Sequence, residues 1–210
     1  MKIAIIDSGV HARHPHVGGL GGGVGITIDG LNGDFVDRIG HGTAVAAAIR
    51  EKTGPAAELY AVKVFHARLS ANIDVILRAL EWCIEEHMDL INVSLGTNNL
   101  AHRDRLERTL ARSPLVVGAA RSLPGDLPGV IAVAPDESCP RDGYRYRDGI
   151  FYASPFPRPI PGVPPERNLH GASFAVANMA GFVARLAMET SLSTWSGLSS
   201  RLRALSYTQC

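Results

Sequence analysis

Short apolar runs alternate with amphipathic stretches along most of the chain. The apolar runs are rich in Val, Ile and Leu, which is typical of strands buried on both faces of a parallel sheet, and they cover residues 2–6, 59–65, 88–96, 115–120 and 130–134. The amphipathic stretches repeat their apolar positions with the period of a helix and cover residues 70–87, 102–112, 172–188 and 194–205. Strands that alternate with helices predict an α/β fold, a three-layer sandwich with a mostly parallel central sheet.

Two segments interrupt this alternation. Residues 17–25 hold six glycines, which favours a loop over a packed element. Residues 135–165 are rich in Pro, Arg and Tyr and predict a long loop with one short strand at 150–153. No internal repeat or second domain is visible, so we expect one domain over residues 1–210.

The composition excludes several classes of function. The chain of 210 residues is 46% hydrophobic and nearly neutral, with Lys+Arg 21 against Asp+Glu 20. The chain lacks the excess of Lys and Arg that is typical of a nucleic-acid-binding protein. Its apolar runs are too short to span a membrane. We therefore expect no nucleic-acid partner and no membrane partner.

The cysteines and the N-terminus bear on the compartment. Cys83, Cys139 and Cys210 cannot all pair within one chain, and no metal-ligand spacing links them. Free thiols are typical of a reducing compartment. Met1-Lys2 leads directly into the first apolar run without a signal peptide. The sequence therefore predicts a cytoplasmic protein without a bound metal.

Three polar residues lie where a regular element meets a small-residue turn: Asp7, His41 and Ser173. Each alone has a plainer explanation, because Asp-Ser-Gly is ordinary turn chemistry, a His between glycines is often structural, and a Ser before a helix is often its N-cap. Together they supply a nucleophile, a base and a carboxylate that orients the base. The order Asp…His…Ser is one of the chain orders known for catalytic triads of this kind.

The segments around these residues resemble those of a known family. Asp7-Ser8-Gly9, Gly40-His41-Gly42-Thr43 and Gly171-Ala172-Ser173-Phe174-Ala175 are similar to the three motifs of the subtilisin-like serine peptidases (subtilases, the S8 family). Residues 59–64 and 91–96 also match, so the resemblance runs from about residue 2 to residue 188. The resemblance implies a minimal, intracellular member of this family, and we expect no inhibitory prodomain.

The resemblance implies roles for further residues. Asp7, His41 and Ser173 would form the catalytic triad. Ser94, Leu95 and Gly96 would pair with an extended peptide substrate as an added strand. Ala119, Ala120 and Arg121 would line the primary specificity pocket. No cofactor is expected, and the segment after the His41 helix is too short for the calcium loop of many relatives.

The departures from the family pattern concern the oxyanion. Subtilases usually carry Gly-Asn after the strand at 116–120, and that Asn donates to the oxyanion, but this chain has Arg121-Ser122. In the loop before Ser173, His170 and Ala172 occupy the positions where the family has Asn and Thr. Losing one oxyanion donor costs about 10²–10³ in rate, a figure that comes from subtilisin itself. The candidates for a replacement donor are Arg121, Ser122 and His170.

These features predict a serine endopeptidase that forms an acyl-enzyme and processes a particular peptide or protein, for example by removing the leader of a ribosomally made peptide. The alternatives are a catalytically impaired peptide-binding relative and a transpeptidase or cyclase. A further possibility is a partner protein that completes or regulates the oxyanion site. Four arginines are expected to flank the specificity pocket and to favour acidic or polar substrate residues: Arg121, Arg141, Arg145 and Arg147.

Overall fold

The computed structural model describes residues 1–191 and 194–206. In chain order its strands are β1 (Lys2–Asp7), β2 (Gly22–Ile26), β3 (Leu31–Asn32), β4 (Glu58–Lys63), β5 (Leu90–Val93), β6 (Leu115–Ala119), β7 (Val130–Pro135), β8 (Tyr144–Arg147) and β9 (Ile150–Ala153). These strands form one sheet in the order β3-β2-β4-β1-β5-β6-β7-β9-β8. Only the two outermost pairs, β2–β3 and β8–β9, are antiparallel.

Helices cover both faces of this sheet. They are α1 (His41–Thr53), α2 (Ile73–Glu85), α3 (Arg103–Leu110), α4 (Ala172–Thr190) and α5 (Trp195–Ala204). Residues of α1, α4 and α5 share one hydrophobic core with one face of the sheet, and residues of α2 and α3 share a second core with the other face. The predicted three-layer α/β sandwich with a mostly parallel central sheet is confirmed.

The strand β1 lies at the centre of the sheet, between β4 and β5. Ile3 and Ile5 point into the core under α1 and α4, whereas Ala4 and Ile6 point into the core under α2. A strand covered on both faces needs apolar side chains at every position, which explains the continuous apolar run. The strand therefore delivers its last residue, Asp7, to the carboxyl edge of the sheet, where open α/β sheets build their sites.

The loop prediction for residues 17–25 is partly wrong, because Gly22–Ile26 is strand β2, paired in parallel with β4. Aromatic rings cover this glycine strand. A side chain at Gly23 would place its Cβ 2.6 Å from the ring of Phe35, and one at Gly22 would lie 3.1 Å from the ring of Tyr60. The glycines are therefore a packing requirement of a strand, which composition alone does not distinguish from a loop.

The long segment 135–165 is more regular than predicted. The strand at Ile150–Ala153 is confirmed, but its partner Tyr144–Arg147 was not predicted. Asp148 and Gly149 connect them, both with positive φ, at 51° and 85°. This is the conformation of a type I′ hairpin turn, for which Asp-Gly is a preferred pair. The sequence signal for this hairpin was therefore present in the turn residues.

Helix boundaries follow local capping. The helix predicted over 70–87 begins at Ile73, because the side chain of Asn72 accepts a hydrogen bond from the Asp74 N–H as an N-cap. The helix predicted over 194–205 begins after Thr194, whose hydroxyl accepts from the Gly197 N–H. Each cap ends the extended backbone one residue before its helix starts.

Two of the three cysteines lie within the described residues. Cys83 and Cys139 are buried free thiols, and burial raises the pKa of each. Cys210 lies outside the described residues. Among the described residues no helix combines the length and the apolar character needed to cross a bilayer.

The helices α1 and α4 approach each other closely on one face of the sheet. At Gly181 of α4 an added Cβ would lie 2.9 Å from Cβ of Lys52 at the end of α1. Both helices begin at the carboxyl edge of the sheet, with His41 as the first residue of α1 and Ser173 as the second of α4. Their close packing therefore fixes the separation of these two residues.

We expect Gly181→Leu to lower the free energy of unfolding by about 1–3 kcal/mol, because it forces volume into a filled interface. Urea unfolding measures the change. Glu189→Leu is the matched control, since Glu189 is exposed on the same helix, and it should change the free energy by less than about 0.5 kcal/mol. Equal stability of Gly181→Leu and the wild type would contradict the close packing.

Candidate active site

Asp7 and His41 form a buried pair at the carboxyl edge of the sheet. Nδ1 of His41 lies 2.8 Å from Oδ1 of Asp7 and 3.0 Å from Oδ2. The Asp7 side chain is 0% exposed and that of His41 is 12% exposed. Because an ionised carboxylate only accepts hydrogen bonds, the Nδ1 of His41 carries the proton. The lone pair of Nε2 is therefore available to take a proton from another group.

A second buried carboxylate, Asp37, holds the start of α1 against the end of β1. Its Oδ1 accepts hydrogen bonds from the Ser8 hydroxyl and from the N–H groups of Ile39 and Gly40. Its Oδ2 accepts from the N–H and the hydroxyl of Thr43 at 2.9 and 2.6 Å. The helix has no side-chain cap at Gly40, so Asp37 supplies the acceptors that the first N–H groups of a helix need.

The contact between the helix and the strand is closest at Gly42. Its N–H donates to the Ser8 hydroxyl at 2.9 Å, and an added Cβ would lie 2.1 Å from the carbonyl oxygen of Gly9. Only glycine fits at this position. The Gly-His-Gly motif thus lets α1 begin directly against the turn that follows Asp7.

Two opposing effects set the proton affinity of His41. Burial of the ring disfavours the charged form, but the hydrogen bond and charge of Asp7, with the charge of Asp37, outweigh burial and raise the pKa of His41. For Asp37 itself, burial opposes ionisation, yet the hydrogen bonds that it accepts hold its pKa below the ordinary value. Asp37 is therefore an anion that stabilises the imidazolium of His41.

Ser173 lies in the first turn of α4, and hydrogen bonds connect it to the end of β5. The Ser173 hydroxyl donates to the carbonyl of Ser94 at 3.1 Å, and the Ser94 hydroxyl donates to the carbonyl of Ser173 at 3.3 Å. Asn92, which is fully buried, donates to the Ser94 hydroxyl at 2.7 Å. In this conformation the Ser173 hydroxyl points to Ser94 rather than to His41.

The neighbour of Ser173 connects the serine turn to the imidazole. The ring of Phe174 lies 5.3 Å from the ring of His41, measured between centroids. Further along α4, the buried amide of Asn178 donates to the carbonyls of Ser154 and Phe156. These contacts hold the N-terminus of α4 against both His41 and the segment that follows β9.

One cavity of about 530 Å³ joins the two halves of the site. His41 and Ser173 both line it, and so do Ser94, Leu95, Gly96 and Ala119. The structure thus brings together most of the residues that the sequence predicted for catalysis and substrate binding. Ala120 lies directly beyond Ala119, and its N–H donates to the Val133 carbonyl. Apolar side chains also line the cavity, among them Phe65, Leu69, Ile73, Ile76 and Leu106.

The three oxyanion candidates lie outside the set of described residues that line this cavity. The Ser122 hydroxyl donates to the carbonyl of Ala119 at 3.0 Å and lies next to Gly96, where an added Cβ would be 2.4 Å from it. Arg121 is exposed, with a φ of 64°. His170 lies 3.2 Å from a Glu137 carboxylate oxygen. Among the three, Ser122 is the one beside a cavity-lining residue.

The expectation that four arginines flank the specificity pocket is wrong for Arg141 and Arg145. Arg141 forms an ion pair with Glu51 of α1, and Arg145 lies 2.5 Å from Asp136. Their charges are therefore neutralised away from the cavity. Arg147 packs over the ring of Tyr152, and Arg121 is exposed outside the cavity-lining set.

Sequence reasoning missed Asp37. It lies three residues before the N-cap Gly40, outside the position to which the capping signal applies, so its hydrogen bonds to the start of α1 follow only from the fold. As for metals, no cluster of three or more His, Cys, Asp or Glu residues that could hold an ion occurs within 1–191 and 194–206.

Comparisons with known proteins come from sequence and from structure. The model of the subtilase family matches residues 1–134. Subtilisin E of Bacillus subtilis (strain 168) is 34% identical over 130 residues, which cover 57% of this chain and 34% of subtilisin E. The thermostable alkaline protease of Halalkalibacterium halodurans is 33% identical over 150 residues, which cover 63% of this chain and 40% of the protease. The matches thus span about a third of subtilisin E and two fifths of the alkaline protease.

A solved structure extends the likeness beyond residue 134. A cold adapted subtilisin-like serine proteinase has a TM-score of 0.72 to this chain at 20% identity, and the match covers 97% of this chain and 81% of the other. This likeness shows a shared fold. Because the family match ends before Ser173, the role of that serine depends on its position in the site.

We expect Asp37→Asn to lower the pKa of His41, because the variant removes an anion that favours the imidazolium. An amide also presents N–H groups where Thr43 donates, which should destabilise the fold by about 1–3 kcal/mol. An NMR titration of the His41 ring measures the first effect and urea unfolding the second. Asp29→Asn, at an exposed carboxylate, is the control, and an unmoved His41 titration in Asp37→Asn would contradict the electrostatic role.

Proposed function

The chain belongs to the subtilase family, and from this premise we propose that it is a serine endopeptidase whose catalytic triad is Asp7, His41 and Ser173. The observation that carries the proposal is the shared cavity in which His41, paired with buried Asp7, and Ser173 both face the Ser94–Gly96 segment. A base, a nucleophile and a strand-like edge for peptide are the parts that acyl transfer needs.

The reaction would proceed in two balanced halves. Nε2 of His41 takes the hydroxyl proton of Ser173 while the Ser173 oxygen bonds to the peptide carbonyl carbon. The imidazolium, stabilised by Asp7, then gives this proton to the departing nitrogen as the C–N bond breaks, which leaves an acyl ester on Ser173. A water molecule repeats the sequence with His41 as base and releases the acid. The raised pKa of His41 favours the imidazolium that forms in each half.

The resting conformation of Ser173 adds a requirement. Its hydroxyl must leave the Ser94 carbonyl, 3.1 Å away, before it can donate to His41. A rotation about the side-chain bond of a helix-terminal serine is a change between staggered rotamers and needs no backbone movement. The substrate would therefore meet a nucleophile that must first turn toward its base.

The oxyanion has one donor in the first turn of α4. The N–H of Ser173 is among the first four of the helix, which have no acceptor within it, and the positive end of the helix dipole favours a negative charge there. For a second donor we propose Ser122, because its hydroxyl lies beside Gly96 and Ala119. It must release the Ala119 carbonyl to reach the cavity.

The substrate is proposed to be an extended peptide of narrow specificity, as in the removal of a leader from a ribosomally made peptide. The Ser94–Gly96 segment would pair with its backbone, and the apolar residues that line the cavity would accept an apolar side chain. A cytoplasmic location is supported by the buried free thiols of Cys83 and Cys139.

One observation favours a second candidate, a peptide-binding subtilase with impaired turnover. The Ser173 hydroxyl bonds to Ser94, and the Ser122 hydroxyl bonds to Ala119, so two groups that catalysis needs are engaged elsewhere. A measurement of covalent reactivity at Ser173 separates the two candidates.

We expect a fluorophosphonate reagent to label the wild type at Ser173, because the Asp7–His41 pair activates this hydroxyl. Mass spectrometry after proteolytic digestion locates the label. Ser173→Ala and His41→Ala should abolish labelling, whereas Ser191→Ala, at an exposed serine, should not. Asp7→Asn should lower kcat about 10⁴-fold by favouring the wrong tautomer. Labelling of the Ser173→Ala variant at wild-type rate would refute the assignment.

We expect Ser122→Asn to raise kcat by about tenfold or more with little change in KM, because an amide donor reaches further than a hydroxyl and an oxyanion donor acts in the transition state. Ser122→Ala should lower kcat, and Ser138→Asn, on the exposed turn after β7, should leave it unchanged. Steady-state hydrolysis of a peptide measures all three. If neither Ser122 variant alters kcat, Ser122 does not face the oxyanion.

A further inference from the structure

A groove between α2 and α3 carries an excess of positive charge. It encloses about 530 Å³ and is lined by Asp74, Arg78 and Glu81 from α2, by Arg105 and Arg108 from α3, and by Arg112 just after α3. We call this surface the basic groove. Four arginines face two carboxylates there, on a protein whose formal net charge is only +1.

Two of the four arginines are engaged within the protein. Arg105 lies 2.5 Å from Asp74, and Arg78 donates to the carbonyls of Thr27 and Ile28. Arg108 and Arg112 differ, since both are exposed and neither guanidinium has a hydrogen bond or ion pair with any residue in 1–191 or 194–206. Their donors are available to a carboxylate from outside.

The basic groove adjoins the cavity that contains Ser173. Ile73 and Ile76 of α2 line that cavity, as does Leu106 of α3. Their direct neighbours Asp74 and Arg105 line the basic groove. The same stretches of α2 and α3 thus separate the cavity from the basic groove, so a peptide that extends past Ile73 and Leu106 can reach the arginines.

We propose that the basic groove binds an acidic segment of the peptide substrate, on the acyl side of the bond that Ser173 attacks. This inference rests on the proposed function, because it deepens the substrate class of the same site. Arg105 and Arg108 lie about one turn apart on α3, and Arg112, in the turn just after α3, lines the same groove. The three arginines therefore face the groove from one side.

The two carboxylates of the groove distinguish a peptide from a polyphosphate. Asp74 and Glu81 accept hydrogen bonds from peptide N–H groups, whereas they repel a chain that carries a negative charge at every unit. The side chains of Glu or Asp in the same peptide pair with Arg108 and Arg112. An acidic peptide fits this mixture of charges better than a nucleic acid does.

The test compares two peptides with the same cleavable sequence. The sequence that the wild type cleaves best in a fluorogenic library is extended on its acyl side by four Glu or by four Gln residues. We expect kcat/KM to be about tenfold higher for the Glu peptide at low salt, from two exposed ion pairs. Raising the salt to 1 M should remove the preference.

Charge-reversal variants test whether Arg108 and Arg112 cause the preference for the Glu peptide. Arg108→Glu with Arg112→Glu should abolish it, should favour a four-Lys extension instead, and should leave cleavage of the Gln peptide unchanged. The control is Arg201→Glu, which reverses an exposed arginine on α5, across the sheet, and should keep the preference.

The outcomes separate this inference from the proposed function. Equal cleavage of the Glu and Gln peptides would overturn the proposed role of the basic groove, and so would a preference that survives in the Arg108 and Arg112 variant. Neither result would contradict the proposed endopeptidase activity. If no library peptide is cleaved, the endopeptidase fails. Fluorescence anisotropy of labelled peptides that carry four Glu or four Gln residues, with the wild type and the double variant, then still tests whether the basic groove binds acidic peptide. Binding of a single-stranded DNA oligonucleotide there, with no preference for the Glu peptide, also overturns the proposal.

Discussion

The buried carboxylate of Asp37 is the constraint from which the geometry of the site follows. It accepts hydrogen bonds from the turn after β1, through Ser8, and from the first turn of α1, through Thr43. An ionised carboxylate with so many donors resists protonation and movement alike. Because α1 is held at this point, His41 can meet Asp7, and because α1 packs on α4, Ser173 comes to the same cavity. A side chain that never faces the cavity thus fixes the positions of those that do.

Much of this arrangement could be predicted from the sequence, and the reasons are physical. Buried parallel strands require continuous apolar runs, so β1 and β5 were recognisable without knowledge of their partners. The junctions at Asp7, His41 and Ser173 were recognisable because glycine and alanine mark close approaches of backbone. Chain order then restricted the chemistry to a small number of possibilities.

The remainder depended on contacts between residues far apart in the chain. The glycines of β2 predicted a loop, because the rings that cover them belong to Phe35 and Tyr60, which lie further along the chain. Arg141 was predicted to flank the pocket, because the sequence does not show that its partner is Glu51 of α1. The hydrogen bond from the Ser173 hydroxyl to the Ser94 carbonyl cannot be predicted from the sequence of either segment. Local pattern predicts an element well, but a pairing requires the three-dimensional fold.

The central place of β1 has a consequence for how the protein folds. Its strand neighbours are contributed by much later parts of the chain, since Lys2 pairs with Glu58 and Ile3 with Leu90. Parallel pairings of this kind have high contact order, and proteins that depend on them fold slowly. During synthesis, which proceeds from the N-terminus, β1 emerges before β4 and β5 and stays unpaired until they follow. Asp7 therefore reaches its final position late, and a chaperone that shields this apolar strand would act before the site exists.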